Sequence, residues 1–369
     1  MKVSASLSQV LPLAVSLAAS HAFAHNPSAV WITPSGHQLT GTFAVIEMNE
    51  AANRITIGEQ TTADSADDDA APPPQAAAFR KFAPAVRTRW DDDFLYVESN
   101  GLPAHGMMTG ITSWQQQVPL PQPYRGTNAW RLPRRPAPAT NPISIRDRFL
   151  RGAIAIASNG IPIFNPQNNR GEISRDIGEL DQWGGHCGRA DDYHYHIAPL
   201  HLQKALGPSL PIAYALDGYP IYGLTEPDGS PATNLDACRG HASPELGYHY
   251  HASESYPFVQ AAFHGTITER DDQVDPQPRA QPMRPALSPL RGARITSFQQ
   301  HSDSRFSLAY QTGNQPHTID YLVLPDGSCR FTFEKNSPAE SSTTYQRGQG
   351  GPGRSGTRPG PRPDRPPRR

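Results

Sequence analysis

The sequence predicts an all-β protein, mainly antiparallel, with an internally duplicated β domain, a small C-terminal β-meander and disordered flanks. Two observations carry this prediction. A motif of histidines and tyrosines occurs twice in the same order, and short alternating runs of apolar residues end at Asn-Gly or Asp-Gly turns. The balance of 33 Lys and Arg against 34 Asp and Glu gives no reason to expect a nucleic-acid partner.

The first 24 residues have the pattern of a signal peptide. Lys2 begins a short n-region, residues 10–19 are apolar, and residues 22–24 form a small-x-small cleavage site. The apolar stretch is too short to span a bilayer, so we expect no transmembrane anchor. The sequence therefore predicts a secreted or periplasmic protein, with cleavage near Ala24 and a mature chain that begins near His25.

Composition divides the rest of the chain into segments. Residues 25–60 contain an N-terminal β segment, and residues 61–90, acidic and then rich in proline and alanine, are predicted to be a linker. The duplicated domain covers residues 91–270. A proline-rich linker at 271–291 precedes the β-meander at 292–335, and residues 336–369 are predicted to be a disordered basic tail.

The duplication places the same residue types at the same offsets in two units, at about 152–196 and 210–251. Each unit begins with an alternating strand, an Asn-Gly or Asp-Gly turn and a short strand that starts at proline. Each then has an Asp, a Gly-His pair and a Tyr-His-Tyr-His motif. These residues are Asp181, Gly185-His186 and 193–196 in the first copy, and Asp236, Gly240-His241 and 248–251 in the second.

The spacing of these histidines is typical of metal ligands. Side chains alternate along a strand, so a His-x-His pair places two imidazoles on one face, where they can converge on one ion. The histidine of the Gly-His pair can supply a third ligand. Imidazoles favour a transition metal such as copper or zinc over calcium or magnesium, which prefer oxygen. The candidate metal ligands are His186, His194, His196, His241, His249 and His251.

Four other residues are candidates for supporting roles. Asp181 and Asp236 either orient imidazoles from outside the ligand shell or cap a turn by accepting backbone N–H bonds. Asp217 fits a hairpin turn better than a catalytic carboxylate. His105, on a loop after a proline, is either a ligand or an exposed side chain. An alternative for every histidine is a structural network, in which each imidazole is simply hydrogen-bonded.

The repeated motifs, with residues 100–105 and 217–223, resemble the YHYH-domain family of exported bacterial proteins over roughly residues 91–265. That family often has a cysteine two residues after the Asp of the first Gly-His motif. Here Trp183 stands at that position and Cys187 follows the histidine. In an oxidising compartment the resemblance implies a Cys187–Cys238 disulfide, with Cys329 left as a free thiol. It implies no particular activity.

Three functions remain open from the sequence. The first is an exported protein that binds copper or zinc through the six histidines, in two sites or in one shared site. The second is a metal-dependent hydrolase or oxidoreductase of the cell envelope, and the third is a non-enzymatic cell-surface scaffold. No catalytic residue is identified, since Gly-x-Ser-x-Gly and His-Glu-x-x-His motifs are absent from the sequence. The protein partner and the oligomeric state are not predicted.

Overall fold

The computed structural model describes residues 71–334 and 341–347, together with short strands between residues 31 and 58. The chain divides into two units, residues 1–65 and 66–369. In the first unit, β1 (Trp31–Ile32) pairs with β2 (Gln38–Leu39), and β3 (Val45–Asn49) pairs with β4 (Arg54–Gly58). The predicted signal peptide and the tail from residue 348 onward lie outside the described residues.

The second unit is built from several sheets, in which most neighbouring strands are antiparallel. A three-stranded sheet contains β5 (Arg87–Trp90), β6 (Phe94–Glu98) and β7 (Trp130–Pro133). Strand β8 (Pro138–Ser144) pairs with β17 (Ala262–Gly265), and β18 (Thr268–Arg270) pairs with β19 (Gln273–Asp275). Two short α-helices accompany them, α1 (Ala76–Arg80) and α2 (Gln203–Leu206), with 3-10 turns at Gly126–Asn128, Ser174–Ile177 and Leu200–Leu202.

An eight-stranded sheet contains both copies of the repeat. Its strands in chain order are β9 (Ala153–Ala157), β10 (Pro162–Phe164), β11 (Gly185–Cys187), β12 (Tyr193–Tyr195), β13 (Ala213–Ala215), β14 (Pro220–Tyr222), β15 (Gly240–Ser243) and β16 (Gly247–His251). Their order in space is β11-β12-β10-β9-β13-β14-β16-β15. The first copy therefore forms one half of the sheet and the second copy forms the other half.

The eight-stranded sheet is symmetric about its central pair. Strands β9 and β13 run antiparallel, with Ile156 opposite Tyr214. On each side the next strand is antiparallel to the central one, the third is parallel to the second, and the outermost is antiparallel to the third. The predicted pseudo-twofold repeat thus corresponds to a symmetric sheet, and the histidine motifs lie on its two outer hairpins.

The segment at residues 61–90, predicted to be a linker, differs from that prediction over its described part. Helix α1 buries Phe79 completely, and its ring stacks on Tyr214 of β13 at a centroid distance of 5.5 Å. Strand β5 then pairs with β6. The alanines that made the composition resemble a linker are small enough to let α1 pack closely on the sheet, and Ala76 and Ala78 are fully buried.

The proline-rich segment at 271–291 is also packed rather than loose. Met283 is 1% exposed, and Arg284 forms a buried ion pair with Asp191, at 2.6 Å between Nη2 and Oδ1. Composition did not predict this because a strand of only three residues, β19, and single side chains anchor the segment rather than a long regular element. No helix in the described part of the chain is long and apolar enough to cross a membrane.

The C-terminal strands form one five-stranded meander, in which each strand pairs with the next. They are β20 (Ala293–Gln300), β21 (Arg305–Thr312), β22 (Gln315–Val323), β23 (Cys329–Glu334) and β24 (Ser341–Tyr345). Strand β24 extends the sheet past residue 335, where the sequence predicts the tail to begin. Threonine and tyrosine suit a strand, and the ring of Tyr345 packs against Phe331 at 5.7 Å.

Candidate metal centres

The first histidine cluster, called site A, consists of His186, His194 and His196. His186 of β11 lies directly opposite His194 of β12, and His196 follows at the end of β12. The Nε2 atom of His196 lies 3.0 Å from Nε2 of His186 and 3.2 Å from Nε2 of His194. Imidazoles at about 2.0–2.1 Å from a tetrahedral zinc ion have nitrogens about 3.3 Å apart. Both distances are close to that spacing, and the ligand atoms of all three rings lie within 4.8 Å of one another, so the cluster could hold one ion.

Backbone carbonyls determine which ring nitrogen can bind a metal. Nδ1 of His194 lies 3.0 Å from the carbonyl oxygen of Asp192, and Nδ1 of His196 contacts the carbonyl oxygen of Asn165. A carbonyl oxygen only accepts, so in each neutral ring Nδ1 carries the proton and Nε2 carries the lone pair. The lone pairs of site A consequently point toward one another.

Burial favours the neutral form of two site A histidines, His186 and His196. Burial, together with the neighbouring imidazoles, holds the pKa of His186 well below its ordinary value. Burial and His194 lower the pKa of His196 to about 3, against an opposing effect of its hydrogen bond to Asn165. The neutral imidazole is the form that binds a metal ion. His186 and His196 could therefore act as metal ligands at neutral pH.

A partly open cavity of about 260 Å³ adjoins site A, and all three histidines line it. The ring of Phe164, another lining residue, stacks on His194 at a centroid distance of 3.8 Å and fixes the plane of that ring. The cavity can bring a small molecule to the histidines.

The second cluster, called site B, consists of His241, His249, His251 and Glu226. His241 of β15 lies opposite His249 of β16, and their Nε2 atoms are 3.1 Å apart. Oε1 of Glu226 lies 2.8 Å from Nε2 of His241 and 3.1 Å from Nε2 of His251. Oε2 of Glu226 lies 3.4 Å from Nε2 of His249. One carboxylate thus contacts all three rings.

The rings of site B have the same tautomer as His194 and His196 of site A. Their Nδ1 atoms lie 3.0, 3.0 and 3.2 Å from backbone carbonyl oxygens of Thr233, Gly247 and Gly223. Nε2 of His251 and Oε1 of Glu226 are both buried, and although they lie 3.1 Å apart, neither makes a hydrogen bond of proper geometry with a described residue. Burial has the largest effect on the pKa of His251 and lowers it, while the Glu226 carboxylate opposes that shift.

The glycine before each first histidine is explained by close packing. A Cβ atom at Gly185 would lie 2.5 Å from the Tyr193 ring and 2.7 Å from the carbonyl oxygen of His194. A Cβ atom at Gly240 would lie 2.4 Å from the Tyr248 hydroxyl. A side chain at either position would push the two strands of the hairpin apart. The Gly-His pair therefore places its histidine opposite the Tyr-His-Tyr-His strand.

Asp181 and Asp236 cap turns and hold tyrosines rather than imidazoles. Oδ1 of Asp181 accepts the backbone N–H groups of Trp183 and Gly185, at 2.9 and 3.1 Å, and Oδ2 accepts the Tyr193 hydroxyl at 2.9 Å. Asp236 repeats this arrangement with Cys238, Gly240 and Tyr248. Of the two roles that the sequence left open, the described contacts are those of a turn cap.

Asp217 and His105 lie away from both clusters. Oδ1 of Asp217 accepts the N–H of Tyr219 at 3.2 Å, and Oδ2 accepts the Tyr250 hydroxyl at 2.6 Å, so Asp217 supports a hairpin turn. Burial raises the pKa of its carboxyl. Nε2 of His105 lies 2.6 Å from the Tyr195 hydroxyl, and tyrosines and histidines alternate along β12. His105 is therefore on the tyrosine face and not in the ligand set.

The Cys187–Cys238 disulfide implied by the resemblance is not formed, and all three cysteines are free and buried. Cys187 lies on β11 and Cys238 just before β15, the two outermost strands of the eight-stranded sheet. Seven strand spacings of about 4.8 Å separate them by roughly 30 Å, whereas a disulfide needs Cα atoms within about 7 Å. Cys238 instead lies in a small group with Asp236 and His264.

Sequence reasoning missed Glu226. It falls in the loop after β14, outside any histidine motif, and only the fold brings it to His241, His249 and His251. Aligning the two copies through their Pro-initiated strands would have identified position 226 as one where the copies differ chemically, because Asn168 is its counterpart. That difference was the available signal.

Comparison with known proteins identifies the family. The model of the YHYH protein family matches residues 129–234, which confirms the resemblance noted in the sequence. This part of the chain is a YHYH domain. The match includes site A and Glu226 but ends before the second Tyr-His-Tyr-His motif. No curated protein and no solved structure matches the chain significantly.

Proposed function

We propose that this YHYH-domain protein binds two transition-metal ions, one at site A and one at site B. The observation that carries the proposal is the convergence of unprotonated Nε2 atoms. In five of the six histidines Nδ1 contacts a backbone carbonyl oxygen, so five Nε2 atoms present lone pairs. Lone pairs 3.1–3.2 Å apart, as in the pairs His194–His196 and His241–His249, repel one another unless a cation lies between them.

A proton is a weaker explanation than a metal ion. One proton bridges a single pair of nitrogens, whereas the three Nε2 atoms of each cluster point to a common centre. In site B the Glu226 carboxylate adds a negative charge at that centre, 2.8 Å from Nε2 of His241. Three imidazoles with or without one carboxylate is a ligand set typical of zinc or copper. The clustering also argues against the scaffold function, which expects dispersed or individually hydrogen-bonded histidines.

Metal analysis of protein purified without a histidine tag tests this proposal. After removal of metals and reconstitution with Zn²⁺ or Cu²⁺, we expect two ions per chain, and the variant carrying His194→Ala and His249→Ala should retain fewer. A variant carrying His301→Ala and His317→Ala, both on the C-terminal meander, is the matched control and should retain both ions. Absence of metal from the wild type, or an unchanged count in the first variant, would overturn the proposal.

A second candidate function is a metal-dependent hydrolase or oxidoreductase, and the cavity beside site A favours it. A zinc site with three protein ligands leaves a position for water or substrate, which is the arrangement of catalytic zinc. Site B, with four protein ligands, has the arrangement of a structural site. The test is a screen of ester, phosphoester and oxidase substrates with the metal-loaded protein. Activity that His196→Ala abolishes and His251→Ala retains would support an enzyme.

We further propose that the protein is exported to the periplasm or the medium. The proposal rests on the pattern of residues 1–24, with its short n-region, apolar stretch and small-x-small site. Expression of the full chain in a bacterial host, followed by fractionation and N-terminal sequencing, tests it. The expected result is a mature chain outside the cytoplasm that begins near His25. An uncleaved cytoplasmic chain would contradict it.

A further inference from the structure

Asn168 and Glu226 occupy equivalent positions in the two copies. Each lies four residues after the end of its short Pro-initiated strand, β10 or β14. The backbone turns are the same: the N–H of Asn168 donates to Glu172 at 2.8 Å, and the N–H of Glu226 donates to Ser230 at 2.9 Å. The following glycines, Gly171 and Gly229, each donate back at 2.9 Å. The two side chains therefore start from matching points beside matching triads.

The two side chains nevertheless make different contacts. The Glu226 carboxylate contacts all three histidines of site B. The Asn168 amide nitrogen donates instead to Glu172, at 3.1 Å, and to Glu179, at 3.2 Å. Its Oδ1 atom accepts the N–H groups of Arg170 and Glu172. All of the hydrogen-bonding atoms of the Asn168 side chain are thus turned toward its own loop, and none of the described bonds reaches site A.

Because one copy has Asn168 where the other has Glu226, the two sites differ in charge and in the number of metal ligands. A divalent ion at site B would have three neutral ligands and one carboxylate, which gives a net charge of +1. The same ion at site A would have three neutral ligands and a net charge of +2, with a tetrahedral position left over. Since all three site A histidines line the cavity, that position is reached from the cavity.

The cavity suits a small anion. The Arg151 side chain lines it and has no ion pair within the described part of the chain. The Glu179 carboxylate, which also lines it, is bound by Arg170 at 2.8 Å and by the Ser174 hydroxyl at 3.1 Å. The negative charge already present is therefore paired, while the metal and Arg151 remain to attract an anion.

We propose that the metal ion at site A binds a small anionic ligand from the cavity, and that Asn168 allows this whereas Glu226 prevents it at site B. The inference rests on the proposed binding of metal at both triads. It adds that the two sites differ in function: site A exchanges ligands and site B is closed. The residue at position 168 or 226 determines which kind of site each copy forms.

Cobalt substitution with azide as the probe tests this inference. Co²⁺ stoichiometry reports metal binding, and the visible absorption of Co²⁺ reports a change of ligands. The double variant His249→Ala, His251→Ala, which leaves site B only two of its four ligands, should leave one Co²⁺, at site A, with the full azide response of the wild type. His196→Ala should leave one Co²⁺, at site B, with no azide response. Both variants keep the loops of Asn168 and Glu226 unchanged.

Glu226→Asn should give site B an azide response and so double the total amplitude of the change in Co²⁺ absorption. Glu226→Gln is the control that keeps the length of the side chain. Two bound Co²⁺ ions in the wild type with no azide response would overturn this inference while leaving metal binding intact. Equal azide responses in His196→Ala and in the double variant His249→Ala, His251→Ala would do the same. Failure of the wild type to bind Co²⁺, Zn²⁺ or Cu²⁺ would overturn both proposals.

Discussion

Site A and site B lie at opposite edges of one symmetric sheet and are built from the same two motifs, yet their surroundings differ. In both, a glycine allows a close hairpin, a carboxylate caps the turn, and backbone carbonyls hold Nδ1. The repeat therefore preserves the imidazole framework. What differs is the residue at the equivalent loop position, Asn168 in one copy and Glu226 in the other, and the elements packed around each hairpin.

The two hairpins also differ in how firmly they are anchored. Asp191, in the turn between β11 and β12, is 2% exposed, accepts the N–H of Val118 at 2.9 Å and pairs with Arg284. The counterpart of Asp191 in the second copy, 55 residues later, is Leu246, and residues 244 and 245 beside it are exposed. The site A hairpin is thus fixed by a distant segment of the chain, whereas the site B hairpin ends in a solvent-facing turn.

Breaking the Arg284–Asp191 pair should have the largest effect on stability. Arg284→Ala leaves Asp191 charged, buried and without its ion-pair partner, at an expected cost of about 3–5 kcal/mol in the free energy of unfolding. Urea unfolding measures this change in the free energy of unfolding. The control is Arg135→Ala, which removes an ion pair with Asp93 whose side chains are 77% and 74% exposed. That variant should change stability by less than about 0.5 kcal/mol. Equal effects would contradict the anchoring of site A.

Adding a methyl group at the Gly-His pairs should have the next largest effect. Gly185→Ala and Gly240→Ala each bring a Cβ atom within 2.7 Å of a carbonyl oxygen on the neighbouring strand. We expect a cost of about 2–3 kcal/mol, because backbone cannot move aside easily. Each variant should also lose metal at its own site only. Gly106→Ala, with open space around the new Cβ atom, is the control. Loss of both ions in one variant would contradict independent sites.

Acidification should destabilise the tyrosine face of the first copy, where His201 packs beside His105 and Trp183. Burial, followed by His105, lowers the pKa of His201 to about 4. Because the folded-state pKa lies below the unfolded value of about 6.5, the stabilisation is complete above pH 6.5 and declines as the pH falls toward 4. Metal-free protein should lose about 1 kcal/mol from this residue between pH 7.5 and 5.5, after allowance for its partial exposure.

Melting curves of wild type and His201→Gln at the two pH values measure that contribution. The variant should show the smaller loss of stability on acidification, since glutamine does not titrate. An identical pH dependence in the two proteins would show that His201 does not titrate as proposed.

Adding a reductant should leave the melting temperature unchanged, which is the smallest effect expected. All three cysteines are free, and Cys187 and Cys238 lie on opposite edges of the sheet. Metal-free protein should therefore melt at the same temperature, within about 1 °C, with and without dithiothreitol. A lower melting temperature in reductant would indicate a disulfide, and mass mapping of the oxidised protein would identify the pair.

The sequence predicted what depends on local spacing and missed what depends on long-range packing. Alternation in Tyr-His-Tyr-His predicted two imidazoles on one face, and the repeat predicted a pseudo-twofold sheet; both features are present. The contact of Glu226 with site B was not predictable, because it joins residues from separate elements of one half-sheet. The buried pair of Arg284 with Asp191 was hidden for the same reason, within a segment whose composition indicated a linker.

The most direct test of the account is anomalous X-ray diffraction from crystals of the zinc- or copper-loaded protein, recorded at the absorption edge of the metal. The account predicts two peaks per chain. One should lie within about 2.0–2.2 Å of Nε2 of His186, His194 and His196, with its remaining ligand on the cavity side. The other should lie at the same distance from Nε2 of His241, His249 and His251 and from a Glu226 oxygen. Absence of a peak at both triads, or a single ion elsewhere in the chain, would contradict it.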